Sequence, residues 1–128
     1  ICVGMQLLAN WGQENGITTG LGWISGEVIP LNDLNSNLKI PHIGWNNIHF
    51  HKLNHPVFGN IDNNSHGYFI HSYKFVCDNK QDCYASVEYG QSVTAIIGRE
   101  NIIGTQFHPE KSQAFGLKLI QNFINWTP

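Results

Sequence analysis

The sequence predicts a mixed α/β domain, and three observations carry that prediction. The tail from Ser112 repeats apolar residues at helical spacing, with Leu117, Ile120 and Ile124 on one line and Leu119, Phe123 and Trp126 beside it. The stretches YFIHSYKFV (68–76) and YASVEYG (84–90) have the aromatic and β-branched content of strands. VTAIIGRENIIGTQF (93–107) sets two apolar runs around Gly98-Arg99-Glu100-Asn101, a hairpin signal.

Taken in order, GMQLLANW (4–11) is rich in helix formers and predicts a helix opening just after Cys2. GITTGLGWISGEVIPL (16–31) mixes glycine with β-branched residues and predicts a loop feeding a strand. NDLNSNLKIP (32–41) is a polar turn ending at Pro41, and KQDC (80–83) is a second turn. Ser112 is placed to cap the last helix. No repeat, low-complexity tract or linker divides the chain, so residues 1–128 are expected to form one domain, with strands outnumbering helices in its middle.

The bulk properties narrow the function. Of the 128 residues 41% are hydrophobic, enough for a globular core and too many for a disordered tail. A formal net charge of −2 with 12% charged residues gives no basic face for nucleic acid or an anionic membrane. No apolar run approaches the ~20 residues that span a bilayer. Cys2, Cys77 and Cys83 are odd in number and lack the spacing of a zinc site or a C-x-x-C pair, which favours a reducing, cytoplasmic setting. No charged and apolar leader opens the chain, so a signal peptide is not expected. Met5 is the only methionine, so a role for Cys2 requires a polypeptide that starts further upstream.

Two short motifs carry chemistry. In CVG, Cys2 precedes Gly4 and the predicted helix, the small-residue setting of a nucleophile on a strand-to-helix turn; a helix start beside sulfur favours the thiolate. An inert, buried thiol is the ordinary fate of a lone cysteine. In GTQFHPEKSQ, His108 and Glu110 stand two apart around Pro109, so that in extended chain both project to one side. An imidazole that accepts a thiol proton while a carboxylate holds its other nitrogen is the arrangement nucleophilic catalysis needs. Alone, H-P-E at a strand–helix junction is commonplace; with Cys2 it completes a Cys-His-Glu set.

CVGMQ, PHIGWN, YFIHSY and GTQFHPEKSQ together resemble the class I (triad) glutamine amidotransferases, over essentially the whole chain and in the expected order. PHIGWN (41–46) and HPEKS (108–112) are similar in particular to the glutaminase subunits of imidazole glycerol phosphate synthases in histidine biosynthesis. The resemblance implies a three-layer α/β fold with a mixed, mainly parallel central sheet, of which this chain is the C-terminal part. It implies Cys2 as nucleophile, His108 as general base and acid, and Glu110 as the residue orienting His108. It further implies glutamine as substrate, held by Gln6, Glu14, Ser72 and Tyr73, with the Val3 N–H in the oxyanion hole. Trp45, Asn46 and Lys111 fall on the face that meets a cyclase subunit, giving a heterodimer through which ammonia is passed on. No cofactor or metal is implied.

One departure is large: the family's N-terminal strands and the glycine-rich loop with the second oxyanion donor have no counterpart here. Loss of central strands exposes sheet edges and apolar faces, so this chain alone is expected to be poorly stable and nearly inactive. Two other readings stay open, a paralogous amidotransferase feeding bacterial surface-sugar synthesis and an inactive remnant that only binds a partner. His49, His51 and His55 have no accompanying carboxylate or thiol ligand and are expected to be surface or loop residues. His71 is expected to support the site, and Trp11, Trp23 and Trp126 to pack.

Overall fold

The first helix, α1 (Val3–Gln6), is one turn long and does not run on to Trp11 as predicted. The carbonyls of Leu7, Leu8, Ala9 and Asn10 accept from the backbone of Leu21, Ile24, Gly22 and Gly20 at 2.8–3.1 Å, so a returning loop replaces the helical ladder. Gly20 permits this approach, because a Cβ there would stand 2.2 Å from the Ala9 carbonyl oxygen. The fold is taken from a computed structural model, which describes residues 1–31 and 38–128; positions 32–37 of the predicted polar turn lie outside the described residues.

The strands that follow are β1 (Trp11–Gly12), β2 (Thr18–Thr19), β3 (Gly26–Pro30), β4 (His42–Phe50), β5 (His66–His71), β6 (Tyr73–Cys77), β7 (Cys83–Glu88), β8 (Ser92–Arg99) and β9 (Ile102–Thr105). Helix α2 (Gln113–Asn125) closes the chain. The strand predicted over 68–76 is in fact two, broken at Ser72. The longest strand, β4, was not foreseen. The predicted hairpin is present, but its turn is confined to Glu100 and Asn101, with Gly98 and Arg99 inside β8. The KQDC turn is a single 3₁₀ turn, Lys80–Asp82, whose buried Asp82 pairs with Arg99.

Two sheets result, β2-β1-β3-β6 and β5-β4-β7-β8-β9. The first is mixed, with β1 and β3 parallel and its other pairs antiparallel. The second is antiparallel throughout. The α/β class and the mixed sheet match expectation, but parallel pairing does not dominate among the described residues. Parallel neighbours need a crossover of about a dozen residues, whereas tight connections such as Glu100–Asn101 enforce antiparallel pairing.

Each sheet has its own core. Met5, Leu8, Ile24, Val28, Phe75 and Ile97 fill one; Ile48, Phe58, Phe69, Val87, Ile96, Phe107 and Leu119 belong to the other. Ser72 is the only residue between β5 and β6, so the chain passes from one sheet to the other there, with its carbonyl accepting from Leu31 N at 2.9 Å. The apolar stripe of α2 is only partly covered: Leu119 is buried, while Leu117, Phe123 and Ile124 are exposed. Trp126 packs as predicted and Trp11 is half-buried, but Trp23 is 56% exposed, in the loop whose backbone bonds the carbonyls of residues 7–10.

Candidate active site

Cys2 sits on a sharp bend with φ 48° and ψ −115°, a left-handed conformation that L residues adopt at a cost of about 1–3 kcal/mol. Backbone bonds hold it there: Cys2 N donates to Thr105 O at 2.7 Å, tying the bend to the end of β9, and the Cys2 carbonyl accepts from Met5 and Gln6. The bend leads straight into α1, which is too short to contribute much of a helix dipole, and no strand precedes it among the described residues. The Val3 N–H, at the first helical position, has no acceptor among the described residues.

The thiol opens into a cleft lined by Gln6, Glu14, Ile70, His71, Ser72 and Tyr73, which brings together all the residues singled out for glutamine. Gln6 and Glu14 also border the adjoining hollow under Trp11 and the 18–20 loop. The Gln6 amide donates to Tyr73 O at 3.2 Å and to Gln106 Oε1 at 3.0 Å, which leaves its own oxygen toward the cleft.

His108 follows β9 and is set beside β5 by His108 N to Tyr68 O at 2.9 Å. Its Nδ1 lies 2.7 Å from Glu110 Oε1; a carboxylate accepts, so Nδ1 carries the proton and Nε2 is left as a base. The pair meets through the 3₁₀ turn Pro109–Lys111, not through alternation along a strand as the spacing suggested. Burial alone would raise the Glu110 carboxyl, but the hydrogen bond from His108, with its own backbone N–H and the nearby charges of His108 and Lys111, holds it below the usual carboxylate value. Ser112 occupies the cap position of α2 without capping it. Its hydroxyl instead accepts from Tyr68 N at 3.0 Å and donates to His108 O at 2.6 Å, clamping the His108 backbone to β5.

Cys2 and His108 make no direct hydrogen bond among the described residues. The thiol's polar neighbours are Ile70 O at 4.0 Å and Gln106 Nε2 at 3.7 Å. Gln106 is fully buried and was missed by sequence reasoning; its position two residues before His108, on the same side of an extended segment, is the signal that would have found it. Also missed was His42, 2% exposed and stacked between Phe69 and Tyr89, with Nδ1 3.0 Å from His71 Nε2. Burial, helped by the neighbouring His71, pushes His42 down to about 4; burial also lowers His71, partly offset by its bond to Tyr73 O.

Trp45 is 50% exposed and touches Tyr68 edge-on, and Lys111 is exposed beside Glu110, whereas Asn46 bonds His42 and donates to Glu88 O and so does not share a face of β4 with Trp45. His49 is exposed, His51 bonds Ser86 at 3.0 Å, and His55 caps the 3₁₀ turn Pro56–Phe58, so the three histidines go to different partners. All three cysteines are free; Cys77 is pushed up to about 12, chiefly by burial, and Cys83 is raised for the same reason.

A strained cysteine opening on a polar cleft and a base–carboxylate pair suit nucleophilic chemistry, and the comparison with known families gives the class. Residues 1–126 match the glutamine amidotransferase class-I family, and the chain belongs to it. Within it, the chain is similar to proteins named imidazole glycerol phosphate synthase subunit HisH. It is 54% identical to that of Rhodospirillum rubrum and 50% identical to that of Ruegeria pomeroyi, each over the whole chain and 60% of the relative. The Azospirillum brasilense protein is 50% identical over 96% of the chain and 64% of its own length. The chain thus spans about three fifths of the length of these relatives. A solved structure from Thermoplasma acidophilum, described as a GMP synthase subunit, shares the fold with a TM-score of 0.59 and 21% identity, over 78% of this chain and 47% of that one.

Proposed function

We propose that these residues form the glutamine-hydrolysing site of an amidotransferase subunit that delivers ammonia to a cyclase in imidazole glycerol phosphate formation. The carrying observation is the Cys2 elbow opening on a polar cleft, its sulfur met by Gln106 two residues before the hydrogen-bonded His108–Glu110 pair. The pathway is supported by identity of about 50% to relatives named HisH.

In this reading Cys2 Sγ attacks the side-chain carbonyl carbon of glutamine as its proton passes to His108 Nε2. The Val3 N–H donates to the oxyanion. Collapse breaks the C–N bond, His108 returns the proton to nitrogen, and ammonia leaves a thioester on Cys2. Water, deprotonated by His108, then releases glutamate. Glu110 keeps the proton on Nδ1 throughout. Gln6, Glu14, Ser72 and Tyr73 hold the amino-acid end of the substrate, with the Glu14 carboxylate suited to the α-ammonium group. The reading requires His108 Nε2 to reach the thiol, a contact that such sites often tighten only with substrate bound.

Trp45, Asn46 and Lys111 supply the face for the cyclase, with Trp45 and Lys111 exposed toward it. Residues 1–128 act as one amidotransferase unit. Its three free thiols suit the reducing cytoplasm, and no helix among the described residues is long and apolar enough to cross a membrane. The test is glutamate release from glutamine by the full-length protein with a histidine-pathway cyclase and its nucleotide ligand. Turnover that requires both the cyclase and Cys2, and disappears in Cys2→Ala, is expected. Turnover that survives Cys2→Ala would overturn the reading.

A further inference from the structure

The bond polarities around Cys2 are fixed by one atom far from the thiol. The Tyr73 carbonyl can only accept, and both His71 Nδ1 (2.7 Å) and Gln6 Nε2 (3.2 Å) approach it. His71 must therefore carry its proton on Nδ1, which leaves Nε2 as an acceptor for His42 Nδ1 at 3.0 Å. His42 Nε2 is left to accept from Asn46 Nδ2 at 3.4 Å. On the other side, Gln6 gives its second N–H to Gln106 Oε1 at 3.0 Å, which turns the Gln106 amide nitrogen toward Cys2 Sγ at 3.7 Å. Two arms thus converge on the Tyr73 carbonyl, one from Asn46 through His42 and His71, the other from Gln6, and only the second continues through Gln106 to the sulfur. Their middle members are enclosed: Gln106 is 0%, His42 2% and His71 5% exposed, and no buried side-chain polar atom among the described residues is left without a partner.

We propose that Gln106, oriented through Gln6 by the Tyr73 carbonyl, is a positioning residue for the nucleophile: the two amides aim an N–H at Cys2 Sγ. An N–H donor at sulfur suits the thiolate, which is the attacking form. Reversing either amide would set two donors or two acceptors face to face, so Gln6 and Gln106 act as a unit. The proposal rests on Cys2 being the nucleophile.

The test follows alkylation of Cys2 by iodoacetamide in the full-length protein across pH, resolved from Cys77 and Cys83 by mass spectrometry. The titratable groups that share the cleft with the thiol are Glu14, His71 and Tyr73, with the His108–Glu110 pair just beyond Gln106. Gln106→Met keeps all of them, and similar bulk, but removes the donor. It is expected to slow alkylation about tenfold at neutral pH and to move the profile about one unit to the alkaline side. Gln6→Met, which removes the donor that turns the Gln106 amide, should move the profile in the same direction. A Gln106→Met profile that superimposes on wild type overturns the proposal. Should that variant not fold, Gln6→Met decides, and a profile that superimposes on wild type there overturns the proposal. Labelling of wild-type Cys2 by a diazoketone analogue of glutamine separates the two ideas. No labelling removes the nucleophile and the proposal with it, whereas labelling with an unshifted Gln106→Met profile removes the proposal alone.

Discussion

Acid should loosen this fold through His42 before it reaches most carboxylates. His42 is 2% exposed, both ring nitrogens are committed, and its value falls from 6.5 to about 4. For a histidine depressed on folding, the unfolded chain binds the extra proton. Its contribution is therefore complete above the unfolded value and is lost as pH falls toward the folded one. The shift corresponds to about 3 kcal/mol in all, of which about 2 kcal/mol is lost between about pH 7.5 and pH 5. Urea unfolding of the full-length protein, wild type beside His42→Phe, isolates the effect. Phenylalanine fills the slot between Phe69 and Tyr89 but cannot titrate, so its stability should lie below wild type at neutral pH and fall less on acidification. Equal pH slopes in the two proteins, down to about pH 5, would refute the argument, since only a histidine that charges on unfolding can steepen the wild-type curve.

Glu110→Gln leaves His108 with no carboxylate to hold its Nδ1 proton and should lower glutamine turnover about 10²–10⁴-fold with little change in stability, measured as kcat beside Tm. Ser112→Ala strands the Tyr68 N–H and releases the His108 backbone; a loss of about 1–3 kcal/mol in denaturant unfolding, with kcat reduced more than KM is raised, is expected. Gly116→Ala would put a Cβ 1.8 Å from the Pro109 carbonyl oxygen, so α2 must lift from the turn carrying His108 and Glu110. Net destabilisation of about 1–3 kcal/mol should appear in thermal unfolding, despite alanine's better helix propensity.

The parts of the site that were legible in the sequence are those fixed by local chain geometry. Cys2 beside Gly4, the pairing of His108 with Glu110 and the repeat in α2 each declare themselves within a few residues, although that pair meets through a 3₁₀ turn and not along a strand. What escaped depends on distant partners. The helix predicted to Trp11 stops at Gln6 because the carbonyls beyond it are taken by residues 20–24. Strand β4 was hidden by its own composition: His42, Asn46, Asn47 and His49 look like loop residues until β5 and β7 pair with them on both sides. Trp23 looked like core and is outside. Gln106 and His42 are polar and buried, a combination that becomes sensible only when Cys2, Gln6 and His71 are brought alongside. The break at Ser72 is likewise invisible in a run of uniformly strand-forming residues.

That break has a consequence for what evolution or design is free to change here. Between His71 and Tyr73 there is no slack: one residue carries the chain across the seam where the cleft lies. An added residue must either bulge into the cleft or slip β6 by one, and a slip would trade the buried Phe75 for its half-buried or exposed neighbours. The seam therefore acts as a fixed-length gauge. Side chains along it can be exchanged, but its residue count cannot, and a protein built on this junction must find its variety in loops that end elsewhere.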